Sequence, residues 1–279
     1  MKKTINKYLP KVIGIQLNGL HLVRPKKAVK KAFSLFCIPR RGKVKPEQMD
    51  FLNNAKHEIV EAENLALQTY NWKNTGKTIL LIHGWESNTF RWMSLIEKLK
   101  AENYNIIAFD APAHGNSTGN HLHVPLYTKC VEAIVKRYSP DYVIGHSIGG
   151  MTTVFHQYSF PNPAIKKLVL LGPPSEITEI MDDYQKILNF KPRVMRDLDV
   201  YFKELLGYNF HEFSIAKFAG SIKQPGLIIH DTFDKIAPVS ASKSIHKNYK
   251  NSKFIETEGA GHSLNNDYIH GEIIQFLNN

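Results

Sequence analysis

Tyr142-Val143-Ile144-Gly145-His146-Ser147-Ile148-Gly149-Gly150 is the stretch on which the reading of this chain turns. Three apolar residues with the character of a buried strand run straight into Gly-x-Ser-x-Gly, and a helical pattern, 151–158, follows. A strand that passes at once into a helix must turn sharply, bringing the positions two before and two after the serine close together. Glycine at both removes the Cβ atoms that would collide. The turn predicts a strained backbone at Ser147 and a hydroxyl exposed at the carboxyl end of the strand. It also leaves a free amide at Ile148, where the helix N-terminus favours negative charge.

Outward from this point, short apolar runs recur at 78–82, 106–109, 168–171, 227–229 and 254–255, each followed within four residues by Gly or Asp. Short, nearly continuous hydrophobic runs are what strands covered on both faces look like. Segments at 90–101, 123–138 and 151–158 are long enough to be crossover helices between them. Repeated strand–helix–strand units predict an α/β fold with a mostly parallel central sheet flanked by helices. Residues 58–72 alternate enough to add one or two antiparallel strands at its start.

A serine hydroxyl needs a base. His262, in Gly259-Ala260-Gly261-His262-Ser263 after the last strand pattern, sits on a glycine-rich loop that can carry an imidazole over the sheet edge. His146 adjoins Ser147, but the sharp turn directs it elsewhere. The imidazole needs a carboxylate to fix its tautomer. Asp234, in His230-Asp231-Thr232-Phe233-Asp234, follows the 227–229 strand, with Asp231 the nearer competitor and Glu176 a weaker one. His83-Gly84-Trp85 follows the 78–82 strand. The backbone N–H groups of Trp85 and Ile148 are the expected donors to a developing oxyanion, with the Trp85 and His146 side chains as pocket candidates. No metal or organic cofactor is needed for this chemistry, and His121-x-His123 lacks the neighbouring carboxylate or cysteine cluster of a metal site.

In order and spacing, His83-Gly84-Trp85, Phe109-Asp110-Ala111-Pro112-Ala113-His114-Gly115-Asn116-Ser117, the Ser147 turn, Asp234 and Gly261-His262 resemble the α/β-hydrolase superfamily, in its serine esterase and lysophospholipase-like branch. The resemblance covers about residues 58–279 and implies the order Ser147, Asp234, His262 for the nucleophile, acid and base. It gives Asp110 and His114 structural roles only. Relatives that open epoxides or displace halide carry aspartate at the turn, so Ser147 disfavours those reactions. The implied activity is hydrolysis of carboxylic esters of small or medium acyl groups. The alternatives are a thioesterase, amidase or carbon–carbon bond hydrolase with the same three residues, or a ligand-binding protein that has kept the fold without catalysis.

The 279 residues are 43% hydrophobic and 22% charged, which excludes a disordered or collagen-like chain. Two cysteines, Cys37 and Cys130, form no disulfide framework, so a reducing, cytoplasmic setting is expected. No apolar run approaches the roughly 18–20 residues of a membrane span. The net charge of +11 divides unevenly: residues 1–56 hold 14 Lys/Arg against Glu47 and Asp50, and the remainder holds 22 against 23. Charge therefore gives no support to a nucleic-acid surface on the main body. Lys2 and Lys3 imitate the start of a secretory signal, but Gln16, Asn18 and His21 interrupt the apolar stretch, and no signal peptide is expected.

Residues 1–57 are expected to be a basic helical extension outside the 58–279 hydrolase domain. Within 5–37, Ile5, Tyr8, Leu9, Val12, Ile13, Leu17 and Leu20 recur at three- and four-residue spacing among lysines, and a second helical pattern follows Pro25. Such a segment either makes peripheral contact with an anionic membrane or packs as an added helical layer with its lysines in water. The scarcity of Trp favours the second. Residues 176–221 are expected to form a helical insertion, either a lid or cap over the site or an ordinary packing elaboration of the fold. Acyl and alcohol specificity and oligomeric state are not encoded in any pattern found.

Overall fold

In a computed structural model that describes residues 2–279, with side chains from Leu9 onward, the Ser147 turn ends the fifth of eight strands. These are β1 (Lys56–Ala62), β2 (Leu65–Trp72), β3 (Thr78–Ile82), β4 (Asn105–Phe109), β5 (Tyr142–His146), β6 (Lys167–Leu171), β7 (Gly226–Asp231) and β8 (Ser252–Thr257). They form one sheet in the order β1-β2-β4-β3-β5-β6-β7-β8. All neighbours from β4 to β8 are parallel, and β1 and β2 are antiparallel, as the alternation over 58–72 predicts. Glu63 and Asn64, both at positive φ, make the two-residue β1–β2 hairpin, the turn whose twist matches its strands.

The helices up to the Ser147 turn are α1 (Lys2–Val23), α2 (Pro25–Cys37), α3 (Met49–Asn53), α4 (Met93–Ala101) and α5 (Val124–Tyr138). From it onward they are α6 (Ile148–Ser159), α7 (Ile177–Leu188), α8 (Pro192–Leu206), α9 (Ile215–Ala219), α10 (Val239–Asn248) and α11 (Asp267–Asn278). Alternate strand residues point to opposite faces of the sheet. Ile79, Leu81, Ile144 and Val169 form one core with Leu95 of α4 and Ile269 and Ile273 of α11. Leu80, Ile82 and Val143, equally buried, point to the opposite face, where α5, α6 and α10 lie. Burial on both faces explains why these strands are unbroken apolar runs.

The chain divides into two compact units. One joins the chain up to Ile38 to Glu176–Ser214, and the other comprises Pro39–Ser175 and Ile215–Asn279, with the whole sheet. The divisions between these units fall at 38/39, 175/176 and 214/215, where the sequence reading set 57/58, 175/176 and 221/222. In the first unit α2 packs on α8, and α1 on α7. Phe33 meets Tyr201 edge-on at 5.5 Å, the Tyr184 hydroxyl donates to the Ala32 carbonyl at 2.8 Å, and His21 pairs with Asp197 at 2.9 Å. Gly14 is required where α1 meets the end of α7, because a Cβ there would strike the Leu188 carbonyl. The side chains of Ile5 and Tyr8, part of the predicted apolar face, lie outside the described residues. Among the described residues no helix is long and apolar enough to cross a membrane.

Candidate active site

Ser147 sits at φ 55°, ψ −123°, a region that costs a non-glycine residue about 1–3 kcal/mol. Its neighbours hold it there. The Ser147 amide donates to the Leu171 carbonyl at 2.8 Å, and its own carbonyl accepts from Gly150 at 2.9 Å, pinning the turn between β5, β6 and α6. Both flanking glycines are sterically required: a Cβ on Gly145 would run into the Thr153 hydroxyl, and one on Gly149 into the Ile82 carbonyl.

The loop after β8 and the loop after β7 bring two further groups to the serine. His262 Nε2 lies 3.0 Å from Ser147 Oγ, and His262 Nδ1 lies 2.7 Å from Asp234 Oδ2. The Asp234 carboxylate is fully buried, whereas the imidazole is about one-fifth exposed. Because Nδ1 faces a carboxylate it carries the proton, which leaves Nε2 free to accept from the serine hydroxyl. Gly172, at φ 56°, lies beneath the pair: a Cβ there would stand 3.5 Å from Asp234 Oδ2 and 3.7 Å from His262 Nδ1.

Asp234 is held by more than His262. Its Oδ1 accepts from the amides of Ile236 and Ala237 at 2.8 and 3.0 Å. Its Oδ2 also faces Nε2 of the fully buried His230 at 3.1 Å. That nitrogen lies 3.0 Å from the Ala237 carbonyl as well, so it bears the hydrogen, and Nδ1 accepts from the Ser242 hydroxyl at 2.7 Å. Burial lowers the His230 pKa despite the neighbouring Asp234, keeping this ring a neutral donor. Asp231, the competitor to Asp234, is engaged elsewhere. Its carboxylate accepts from the Ala260 amide at 2.8 Å, the Thr257 hydroxyl at 2.9 Å and the Phe233 amide at 3.0 Å, which ties the β7 loop to the loop bearing His262. Burial pushes the Asp231 pKa up, but these donors together hold it below the ordinary carboxylate value.

The loop His83-Gly84-Trp85 lies against the turn: a Cβ on Gly84 would come within 2.9 Å of His146 Nδ1 and 3.0 Å of Ser147 Cβ. His83 Nε2 accepts from the Ala111 amide at 2.9 Å, and His114 Nε2 from the Glu86 amide at 3.0 Å, so two histidines fix the loop on either side of Trp85. Burial holds the His83 pKa well below the usual range. Asp110, fully buried, accepts from the Tyr70 hydroxyl and the amides of Thr89 and Asn116, an architectural network. The amides of Trp85 and Ile148 donate to no group among the described residues, leaving two backbone donors unspent beside Ser147. The Trp85 ring lies edge-on to His114 at 5.6 Å.

His146, read from the sequence as a pocket candidate, is buried and spends its Nε2–H on the His262 carbonyl at 2.7 Å. Burial, and then the charges of Arg91 and His262, keep its pKa well below the ordinary value. Arg91 donates to the next carbonyl, that of Ser263, at 2.9 Å, so the His262 loop is held at two successive residues. Glu176 belongs to the other compact unit, where it accepts from the Ser214 hydroxyl at 2.8 Å. His123 caps α5 by accepting from the Leu126 amide at 3.2 Å. Among the described residues no group of three or more His, Cys, Asp and Glu side chains has the arrangement of a metal site.

The roles of His230, Asp231 and Arg91 were not legible in advance. The only trace of the first two was their spacing, with His230 and Asp231 four and three residues before Asp234.

This fold and this constellation define a class. Residues 79–270 match the alpha/beta hydrolase family, and the chain belongs to that family. It is similar to the bifunctional esterase/perhydrolase DCH of Acinetobacter calcoaceticus, with 25% identity over 236 residues, covering 67% of this chain and 85% of that protein. Among solved structures it resembles the Pyrococcus furiosus esterase Pf2001 at a TM-score of 0.65 and 23% identity, covering 86% of this chain and 96% of the other. It also resembles the Exiguobacterium antarcticum esterase EaEST at a TM-score of 0.64 and 14% identity, covering 80% and 100%. At these identities the structural likenesses establish the fold.

Proposed function

We propose that this protein is a serine hydrolase that cleaves carboxylic esters of small or medium acyl groups through an acyl-enzyme on Ser147. The observation that carries the reading is the unbroken hydrogen-bonded line from Asp234 through His262 to Ser147 Oγ, with distances of 2.7 and 3.0 Å. Ser147 Oγ attacks the ester carbonyl while His262 Nε2 takes its proton, and Asp234 stabilises the imidazolium that forms. Negative charge develops on the carbonyl oxygen between the unspent amides of Trp85 and Ile148 at the head of α6. His262 then gives its proton to the departing alcohol. In the second half-reaction it takes a proton from water, which attacks the acyl group and frees the acid. All of this uses the chain's own side chains and amides.

The similarity to an esterase/perhydrolase supports ester over amide bonds. A fluorophosphonate probe is expected to label the native protein once, with labelling lost in Ser147→Ala. Turnover is expected to peak within a p-nitrophenyl ester series running from acetate to laurate. Faster cleavage of acyl-CoA or amide panels would replace the ester reading. Absence of labelling would leave a ligand-binding protein.

A further inference from the structure

The first 46 residues contain no acid and nine of their basic residues lie within residues 1–37. The structure sorts this segment by side. In α2, Ala28, Val29, Ala32 and Phe33 are buried, whereas Lys26, Lys27, Lys30 and Lys31 are exposed and wall an open groove. Among the described residues none of these four ammonium groups pairs with a carboxylate.

In α1 the buried side holds Gly14, Leu17 and His21, yet the opposite side is not polar. Val12 is 47% exposed, Ile15 67%, Leu22 64% and Val23 79%, and their spacing places them on one stripe of the helix. The stripe ends in six consecutive exposed residues, Leu22-Val23-Arg24-Pro25-Lys26-Lys27, where apolar and cationic side chains adjoin. Among the described residues, nine of the seventeen exposed large apolar side chains lie in this helical unit, little more than a quarter of the chain. An apolar stripe left in water along one side of a helix is the kind of surface that marks a docking face.

Three occupants differ in what they satisfy. A nucleic acid would engage the lysines and leave the apolar stripe in water. A second copy of the chain would cover the stripe but bring two unpaired lysine clusters together. An anionic lipid surface satisfies both, with apolar side chains entering the headgroup–acyl boundary and lysines at the level of the phosphates. We propose that α1 and the α1–α2 corner dock on an anionic membrane, Val12, Ile15, Leu22 and Val23 inserting while Lys26, Lys27, Lys30 and Lys31 pair with lipid phosphates. This docking stands independently of the reaction at Ser147.

Co-sedimentation of the full chain with phosphatidylglycerol-containing vesicles, against pure phosphatidylcholine vesicles, tests it. The protein is expected to partition onto the anionic vesicles and to be released by salt. Replacing the four lysines by glutamine (K26Q, K27Q, K30Q, K31Q) is expected to weaken that partition at least tenfold, and so is the separate variant I15S, L22S, V23S. Every substituted position is exposed, so melting curves matching the parent will show that both variants fold. Equal partition onto both vesicle types, no partition onto either, or variants that bind as well as the parent would overturn the proposal. So would a dimer in light scattering that I15S, L22S, V23S dissolves, in a protein that ignores vesicles.

Discussion

At Ser147 the backbone stores strain that holds a largely buried hydroxyl against His262. Replacing it by glycine, which tolerates positive φ, is expected to stabilise the fold by about 1 kcal/mol, roughly 2 °C in Tm, while abolishing probe labelling. A melt that falls instead would contradict the strain. Ser147→Ala is expected to lower kcat by about 10⁴-fold or more, read from the p-nitrophenyl ester assay. His230 acts through Asp234, so it is a positioning residue, and its variants should separate kcat from KM. His230→Leu is expected to lower kcat about tenfold at unchanged KM, because it removes a hydrogen bond to a buried carboxylate. His230→Gln, which keeps an N–H donor, should recover part of that loss, a rescue that a purely packing role would not produce.

At the scale of elements, the turn and the loops that meet it form a close-packed assembly. Gly84→Ala places a methyl group within about 3 Å of Ser147 Cβ and His146 Nδ1, so the loop must retreat and carry the Trp85 amide with it. One oxyanion donor is typically worth about 10²–10³-fold in rate. The expected outcome is a kcat loss of about that size with a melting curve close to the parent's, since β3 itself is untouched. Strand positions were legible from the sequence because burial on both faces turns a strand into a continuous apolar run, and each of the six runs from 78 to 255 lies within a strand. Strand ends were less legible: β5 extends through His146 and β7 through Asp231, because ladder hydrogen bonds continue past the last apolar residue. Ser147, Asp234 and His262 were named from turn chemistry and loop position, and the structure brings them together. The supports from His230, Asp231, His146 and Arg91 depend on how separate loops face each other, which no local pattern records.

For the whole molecule, buried histidines set the response to acid. Burial is the leading cause that lowers the pKa of His83, His114, His123, His146, His156, His230 and His270, with His123 and His270 at about 4. Above the ordinary value of 6.5 these rings are neutral in folded and unfolded chains alike. As pH falls through that value the unfolded chain binds protons first, so stability drops, and it continues to drop until the folded-state values near 4 are passed. Urea unfolding at pH 7 and pH 5 should show a loss of at least ~2 kcal/mol, the effect of a single histidine shifted as far as His123. Removing the chain up to Ile38 would strip α2 from α8 and α1 from α7, exposing Tyr184, Tyr201 and Phe202. Limited proteolysis of that truncation is expected to cut first within 176–214, and a pattern matching the full chain would refute this dependence.

What the sequence determined by itself was local: strands from hydrophobic runs, a sharp turn from flanking glycines, and the order in which a hydroxyl, a carboxylate and an imidazole follow along the chain. Each of these depends on sterics and burial over a few neighbouring residues. Only the tertiary structure joined α1 and α2 to α7 and α8 across more than a hundred intervening residues, placed His230 behind Asp234, and left the far side of α1 apolar and exposed. Those outcomes arise from packing between distant segments. A helix pattern shows that one face is apolar, but which face finds a partner is decided by the surfaces the rest of the chain presents to it.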